Sequence, residues 1–292
     1  MYAIQTTALT KYYGKARGII DINLTVPTGD FFGFIGPNGA GKSTTIRTIL
    51  GLISPSSGEA TIFGMDIREK KQEILQKVGY VPAETGFYPN MRVEETLRFS
   101  ANLRKMDCEK EAALLCQRLA LNPRQKISQL SLGNRKKVSI VCALQHKPAL
   151  CILDEPTSGL DPLMQREFYA ILEERNAEGA TIFLSSHVLS EIQRHCKHAA
   201  VIREGKILVS DSIDHLGQTH AKRVTLRGVG APPALAGVKD IKVAEDTVSF
   251  LYNGKPDILL RALAGFSLTD VNITEPDLEE IFLHYYQKEE QA

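Results

Sequence analysis

The sequence predicts an α/β fold followed by a small, separate α+β domain. Three observations predict it. Short apolar strand segments alternate with helical segments over the first two thirds of the 292 residues. A glycine-rich loop joins one of these strands directly to a helix. After Leu216 the pattern changes to short strands and two helices that begin near a proline. We therefore expect an α/β domain at 1–216 and an accessory domain at 217–292. The first should contain a helical insertion at about 85–145 and an antiparallel β part.

The elements of the first domain follow from hydrophobic periodicity and from turn residues. Residues that alternate between apolar and polar predict a half-buried strand, wholly apolar runs predict a buried parallel strand, and Gly51 predicts a helix end. A hairpin is expected around Glu204-Gly205. In chain order the predicted elements are strands at Ile19–Val26 and Phe31–Ile35, a helix at Lys42–Leu50, strands at Glu59–Phe63 and Val78–Val81, helical structure over Val93–Leu121 and Arg135–Leu144, and strands at Ala149–Leu153, Thr181–Ser185, Ala199–Ile202 and Lys206–Val209.

The second domain shows weaker patterns of the same kind. Short alternating segments predict strands, and a proline in the first turn favours each of two helices. The predicted strands are Ala221–Arg227, Ile241–Ala244, Thr247–Tyr252 and Leu268–Ile273, and the predicted helices are Pro256–Leu263 and Pro276–Gln287.

Composition limits the class of protein. Apolar residues make up 43% and charged residues 24%, as in an ordinary globular protein with a substantial core. The 35 basic and 34 acidic residues leave a net charge of +1, which argues against a broad nucleic-acid-binding face. No apolar run approaches the roughly 20 residues of a membrane-spanning helix. The first residues do not resemble a secretion leader, and the five cysteines are irregularly spaced. We therefore expect a cytoplasmic protein that reaches a membrane only through a partner.

The segment Gly36–Ser43 carries the clearest chemical signal. It fits the phosphate-loop pattern G-x-x-x-x-G-K-[ST], with an apolar strand before it and a helix after it. In such a loop backbone N–H groups surround phosphates, the lysine adds a positive charge, and the serine hydroxyl binds Mg²⁺. The alternative is a glycine-rich turn that binds nothing. The candidate nucleotide-binding residues are Gly36, Asn38, Gly39, Ala40, Gly41, Lys42, Ser43 and Thr44, with Ser43 also a candidate Mg²⁺ ligand.

A second signal is the apolar run Leu150–Leu153, which ends in Asp154 and Glu155. In an open α/β sheet, acids at the carboxyl end of a strand lie at the ligand crevice. Asp154 is a candidate Mg²⁺ ligand, and Glu155 is a candidate catalytic base that orients or deprotonates a water. On its own such a segment is more often a solvated turn. Together with the phosphate loop it indicates an NTPase, which leaves the nucleotide and the task open.

The segment Leu130–Asn134, with the sequence LSLGN, resembles the LSGGQ signature of the ABC ATPases. Ser158–Asp161 and Ser185–His187 follow in the order found in that family, and the resemblance extends over Met1–Leu216. The pattern is most similar to the ATP-binding subunits of ABC-2-type exporters. The resemblance implies an ATPase that binds ATP and Mg²⁺ in a head-to-tail dimer. The dimer would be a homodimer or a pair with a related subunit, would lie at the cytoplasmic face of the membrane, and would drive a separate integral membrane permease.

The same resemblance implies roles for further residues. Tyr13 would stack on adenine; Tyr12 and a buried tyrosine without a ligand are the alternatives. His187 would reach the terminal phosphate of ATP from its own subunit, beside the catalytic Lys42 and Glu155. The residues expected to face the ATP of the other subunit, or to lie at the interface with it, are Ser131, Gly133, Asn134 and Asp161.

The sequence departs from the family pattern at three positions. A glutamine usually follows the segment that matches Gly79–Pro82, but this chain has Ala83 there, so we expect Glu84 as a possible substitute. The first signature glycine is replaced by Leu132, and the final glutamine by Asn134. An active ATPase is the favoured hypothesis.

Three alternative interpretations stay open. A module that holds ATP without turnover would fit the departures at Ala83 and Leu132. A translation or DNA-repair ATPase is disfavoured, because the chain has one cassette, no long heptad region and no zinc spacing. The cluster His195–His198 could suggest a metal site, but an ordinary helix end is the simpler interpretation.

Overall fold

The computed structural model describes residues 1–14, 16–217 and 221–274, and the chain divides into two compact units, Met1–Ser212 and Ile213–Ala292. The strands of the first unit are β1 (Tyr2–Tyr13), β2 (Ala16–Pro27), β3 (Phe31–Ile35), β4 (Ser57–Ile62), β5 (Met65–Asp66), β6 (Val78–Val81), β7 (Leu150–Asp154), β8 (Thr181–Ser186), β9 (His198–Arg203) and β10 (Lys206–Ser212). Its helices are α1 (Lys42–Ile49), α2 (Lys71–Lys77), α3 (Val93–Leu103), α4 (Glu109–Arg118), α5 (Leu132–Leu144), α6 (Pro162–Ala177) and α7 (Leu189–His195).

A six-stranded sheet forms the centre of the first unit, with the strand order β10-β9-β3-β8-β7-β6. Strands β9, β3, β8, β7 and β6 are parallel, and β10 pairs with β9 in the predicted antiparallel hairpin. Every residue of β3, β7 and β8 is buried, as their apolar runs predict. Because parallel strands end at the same edge, the loops that follow β3, β7 and β8 meet there.

A second, antiparallel sheet has the order β2-β1-β4-β5 and confirms the expected antiparallel β part. Its long strands β1 and β2 pair with each other through several register shifts. Apolar side chains of both sheets and of α1 share one core, which includes Ile4, Leu24, Phe34 and Ile46. The sheet therefore packs next to the strand and the helix that flank the glycine-rich loop.

The predicted helical stretch over Val93–Leu121 is two helices, α3 and α4. The chain turns between them at Lys105, which has a left-handed φ of 55°. Helix α5 begins at Leu132, three residues before the predicted start at Arg135, because Ser131 caps it. Helix α6 was not predicted, although a proline in its first turn and the capping Asp161 are typical helix-start signals.

The second unit contains a four-stranded antiparallel sheet with the order β12-β13-β11-β14. Val224, Phe250 and Leu259 form its apolar core together with neighbouring side chains. The unit begins slightly before the boundary expected after Leu216, because its first helix is part of it. The helix predicted at Pro276–Gln287 lies outside the described residues. Its elements are α8 (Ile213–Gly217), β11 (Ala221–Arg227), β12 (Val238–Ala244), β13 (Thr247–Asn253), α9 (Pro256–Leu263) and β14 (Asp270–Thr274).

Candidate active site

The loop between β3 and α1 carries the predicted phosphate loop. Strand β3 ends at Ile35 and α1 begins at Lys42, so the free N–H groups at the start of the helix face the loop. Lys42 Nζ donates hydrogen bonds to the carbonyl oxygens of Gly36 at 2.6 Å and Pro37 at 3.2 Å. The Lys42 side chain is buried, so the loop holds a positive charge in a fixed position.

Charged contacts join this loop to the ends of β7 and β8. Lys42 Nζ lies 3.1 Å from Glu155 Oε1, and His187 Nδ1 lies 2.6 Å from Glu155 Oε2. Because a carboxylate can only accept, His187 donates from Nδ1. Glu155 has a φ of 49°, in the left-handed region that a residue with a side chain rarely adopts. Such backbone strain is typical of functional positions. The structure thus brings the three candidate catalytic residues together.

Asp154 is fully buried next to this cluster. Its Oδ1 accepts a hydrogen bond from Ser185 Oγ at 2.6 Å, whereas Oδ2 has no hydrogen-bond partner among the described residues. Burial raises the pKa of Tyr80, and the negative charge of Asp154 raises it further. A buried carboxylate oxygen without a partner is costly, and it is the hard oxygen ligand that Mg²⁺ prefers. With the Ser43 hydroxyl in the first turn of α1, the donor set fits a magnesium ion.

A cavity of about 270 Å³ lies over the phosphate loop. Two of its lining residues, Arg17 and Gly18 on β2, were missed by the sequence analysis, because neither belongs to a motif. Gly36 and Ala40 belong to the loop but do not line the cavity. The predicted site residues that line it are Tyr13, Asn38, Gly39, Gly41, Lys42, Ser43, Thr44, Ala83 and Glu155.

Tyr13 is the tyrosine of the Tyr12-Tyr13 pair that lines this cavity. Its side chain is 47% exposed, so the interpretation of Tyr13 as a buried tyrosine is wrong. Lys11 Nζ lies 5.5 Å from the centre of the Tyr13 ring, on which it forms a cation–π contact. An exposed ring at the mouth of a phosphate-binding cavity is available to stack on a base.

The residues expected at the interface with the other subunit lie outside the cavity, and two of them cap helices. Ser131 caps α5 by accepting the N–H of Asn134 at 3.3 Å, and Asp161 caps α6 by accepting the N–H of Met164 at 3.0 Å. A Cβ atom on Gly133 would lie 2.3 Å from the carbonyl oxygen of Gly159. The signature therefore packs against the loop that leads to Asp161. Among the described residues, the lining of the cavity does not include Ser131, Gly133, Asn134 or Asp161.

The segment that follows β6 approaches the cavity through Ala83, whereas Glu84 is exposed and does not line the cavity. A residue that the sequence analysis missed also reaches this segment. Lys136 of α5 donates from Nζ to the carbonyl oxygens of Pro82 at 3.0 Å and Ala83 at 2.9 Å. A lysine inside a basic stretch gives no sequence signal for such a contact.

The cluster His195–His198 spans a helix end and the start of a strand. His195 ends α7, and its ring stacks on Tyr169 at 3.8 Å. His198 belongs to β9 and lies 2.8 Å from Asp30, so the helix-end interpretation is wrong for this residue. Over residues 1–14, 16–217 and 221–274, no group of three or more His, Cys, Asp or Glu side chains is placed to hold a metal.

Comparison with known proteins identifies the family. Residues 19–158 match the family profile described as ABC transporter. The chain is 35% identical to the bacitracin transport ATP-binding protein BcrA of Bacillus licheniformis, over 96% of each chain. It is 32% identical to the linearmycin resistance ATP-binding protein LnrL of Bacillus subtilis (strain 168), over 96% of this chain and 97% of LnrL. A solved structure of the ATP binding subunit of an ABC transporter matches with a TM-score of 0.70 and 30% identity, over 73% of this chain and 91% of that one.

The similarity to BcrA and LnrL extends through both units of the chain, including the part beyond the family profile. None of the helices in the described part of the chain is long and apolar enough to cross a bilayer. The chain therefore belongs to the ATP-binding proteins of ABC transporters, and it is an ATPase subunit of that transporter family.

Proposed function

We propose that this subunit hydrolyses MgATP in the cavity over its phosphate loop, within a head-to-tail dimer, to drive export through a separate membrane subunit. The observation that supports the chemistry best is the position of Glu155. Its two carboxylate oxygens contact Lys42, at the start of α1, and His187, in the loop after β8, at the same edge of the central sheet. This arrangement aims a carboxylate at the place where the loop N–H groups bind phosphate.

Each of these three side chains has a distinct chemical role. Glu155 orients the attacking water and accepts its proton. Lys42 neutralises the terminal phosphates, on which negative charge is concentrated. His187 is about half exposed, and from its position beside Glu155 it contacts the terminal phosphate of the ATP bound by its own subunit. The positioning of groups around the phosphate supplies most of the catalysis in phosphoryl transfer.

The remaining lining residues bind the nucleotide. The exposed ring of Tyr13 stacks on adenine, and the backbone from Gly36 to Thr44 surrounds the phosphates. Ser43 and Asp154 hold the magnesium ion, because Asp154 Oδ2 has no other partner among the described residues. When bound, the ion neutralises charge that develops on the phosphate oxygens.

A second copy of the chain, or a related subunit, completes each site. Ser131 and Asp161 are exposed at the starts of α5 and α6 and lie outside their own subunit's cavity, which supports a role towards a partner. Leu132 and Leu163, the neighbours of these caps, are 69% and 67% exposed. Apolar side chains that flank polar caps are suited to burial in an interface. Gly133 and Asn134 would then face the ATP of the partner.

The membrane partner would dock near the loop 83–90 and helix α3. Tyr88 and Phe99 are both substantially exposed, and their rings meet edge to face with centres 6.2 Å apart.

The names of BcrA and LnrL refer to bacitracin transport and linearmycin resistance, which supports an exporter of antibiotic-like cargo. A permease contact of this kind would place the subunit at the cytoplasmic face of the membrane. We expect no nucleic-acid partner, because the net charge is only +1.

The test of this proposal separates an ATPase from a module that only holds ATP. Glu155→Gln keeps the shape of the side chain and removes the base, so turnover should fall by about 100-fold or more while MgATP still binds. Steady-state phosphate release and equilibrium nucleotide binding are measured on the same samples. The matched control is Glu73→Gln, at an exposed glutamate on α2 that pairs with Lys70. This variant should keep wild-type turnover. Wild-type turnover in Glu155→Gln, or no hydrolysis by the wild type, would contradict the proposal.

A further inference from the structure

Lys136 is a buried cation that connects α5, whose start carries the signature segment, to the segment after β6, which reaches the ATP cavity. It lies in the second turn of α5, and only 4% of the residue is exposed. Its ammonium group donates to the carbonyl oxygens of Pro82 and Ala83, at 3.0 and 2.9 Å. Ala83 lines the ATP cavity, whereas Ser131, which caps the same α5, lies outside it. One side chain therefore connects the subunit's own cavity to its signature segment.

The surroundings of Lys136 supply hydrogen-bond acceptors for its buried ammonium group. Burial lowers the pKa of Lys136, and the negative charges of Asp154 and Glu155 offset this lowering only in part. A buried ammonium group needs acceptors, and the two carbonyl oxygens supply charge-assisted hydrogen bonds. Lys136 is thus held by the backbone after β6 and is also in the electrostatic field of the two candidate catalytic and metal-binding carboxylates.

Helix α5 is attached to β6 at the other end as well. A Cβ atom on Gly79 would lie 2.1 Å from the carbonyl oxygen of Ala143, so the strand and helix backbones are in close contact. The ring nitrogen Nε2 of His146, just after α5, lies 3.3 Å from the carbonyl oxygen of Val78. With Lys136 near the start of the helix, contacts span the length of the seam between α5 and β6. Close packing of this kind transmits displacement instead of absorbing it.

We propose that Lys136 is a positioning residue that couples the two ATP sites of the dimer, by tying the backbone at Ala83 in one site to the α5 cap that serves the other. The inference depends on the proposed head-to-tail dimer. It also accounts for Ala83, which has no side-chain hydrogen-bonding group. The link at this position runs instead through the backbone carbonyl oxygens and the Lys136 ammonium group.

The experiment compares Lys136→Met, which removes the donors, with Lys136→Gln, whose amide donates two hydrogen bonds but carries no charge. ATP affinity of the monomer, kcat and KM are measured for each. For Lys136→Met we expect monomer affinity within about twofold of the wild type and a kcat about tenfold lower, a factor typical of coupling between sites. Lys136→Gln should fall between Lys136→Met and the wild type. Lys110→Met, at an exposed lysine on α4, is the control and should match the wild type.

A second measurement tests coupling itself. In a Glu155→Gln background, Lys136→Met should weaken ATP-dependent dimer formation by about tenfold without weakening ATP binding to the monomer. Wild-type kcat in Lys136→Met, a parallel loss of monomer affinity, or a Lys136→Gln variant no better than Lys136→Met would overturn the role of Lys136. Should Lys136→Met not fold, Lys136→Gln is compared with the wild type, and an unchanged kcat overturns the inference. An inactive wild type would instead contradict the proposed function.

Discussion

At the residue scale, the site depends on a buried lysine and a carboxylate that stabilise each other. Lys42 is buried and Glu155 nearly so, and each would be costly to bury alone. Lys42 also donates to two carbonyl oxygens, and Glu155 also accepts from His187. Each charged group therefore keeps a partner when a ligand replaces the contact between Lys42 and Glu155. The arrangement can therefore accept a phosphate without leaving a buried charge unpaired.

Lys42→Ala should lower MgATP affinity by at least about 30-fold, because truncating one partner of a buried charge pair typically costs about 2 kcal/mol or more. Because Glu155 would keep its contact with His187, we expect a larger effect on nucleotide affinity than on folding stability. Equilibrium binding of a fluorescent ATP analogue with Mg²⁺ measures the effect. Lys70→Ala, at an exposed lysine paired with Glu73, is the matched control. Unchanged affinity in Lys42→Ala would remove the phosphate-loop assignment.

Residues of the site could be predicted from sequence where the chemistry depends on a short segment. Lys42 and Ser43 lie within one loop, and Asp154 and Glu155 end one apolar strand, so local spacing identifies them. Arg17 and Lys136 could not be found in this way. Arg17 reaches the cavity because β2 crosses next to the phosphate loop, and Lys136 contacts a backbone more than 50 residues earlier in the chain. Contacts of that range leave no local pattern.

At the element scale, the starts of α5 and α6 form one packed junction. Gly133, in the first turn of α5, has its Cα against the carbonyl oxygen of Gly159, and Asp161 caps α6 two residues later. Side-chain caps of this type stabilise a helix start by about 1 kcal/mol. Because both caps lie outside their own cavity, the junction can present Ser131 and Asp161 to a partner together.

Gly133→Ala should disturb this junction without touching the nucleotide bound by its own subunit. Its new Cβ would lie 2.3 Å from a backbone oxygen that cannot rotate away, so the loop before Asp161 must shift. We expect a loss of about 1–3 kcal/mol in unfolding free energy, as for overpacking elsewhere, and a loss of hydrolysis. MgATP affinity of the monomer should be retained. Thermal unfolding and phosphate release are compared with Gly230→Ala, where a Cβ meets open space. Full hydrolysis in Gly133→Ala would show that the junction tolerates the shift.

The elements themselves were predictable to different degrees. The wholly apolar runs of β3, β7 and β8 were recognised, because strands buried on both faces need apolar side chains throughout. Strand β1 was missed, since its register shifts break the alternation that identifies a half-buried strand. Helix α6 was missed because its sequence carries many charges and only a weak apolar stripe.

At the scale of the whole molecule, the proposed dimer divides each ATP site between two subunits. The cavity of the first unit contains a phosphate loop, a candidate base and a candidate metal ligand, while Ser131 and Asp161 are exposed outside it, beside exposed leucines. Two copies related head to tail would bring each signature to the other's cavity, which is the isologous arrangement expected of a two-fold dimer. The resemblance to the ABC ATPases predicts this division of the site, whereas hydrophobic periodicity and motif spacing do not, because residues of both halves occur in one chain.

Complementation between two defective subunits tests this central claim most directly. One subunit carries Lys42→Ala, the other carries Ser131→Arg, and both carry Glu155→Gln so that bound ATP is retained. In a mixed dimer both defects meet at one site, whereas the other site pairs an intact Lys42 with an intact Ser131. Differently tagged subunits show by co-purification that mixed dimers form, and retained radiolabelled ATP is counted after rapid desalting. The account predicts that the mixture retains ATP at one site per dimer while each subunit alone retains none. Mixed dimers that retain no more ATP than either parent would contradict the shared site.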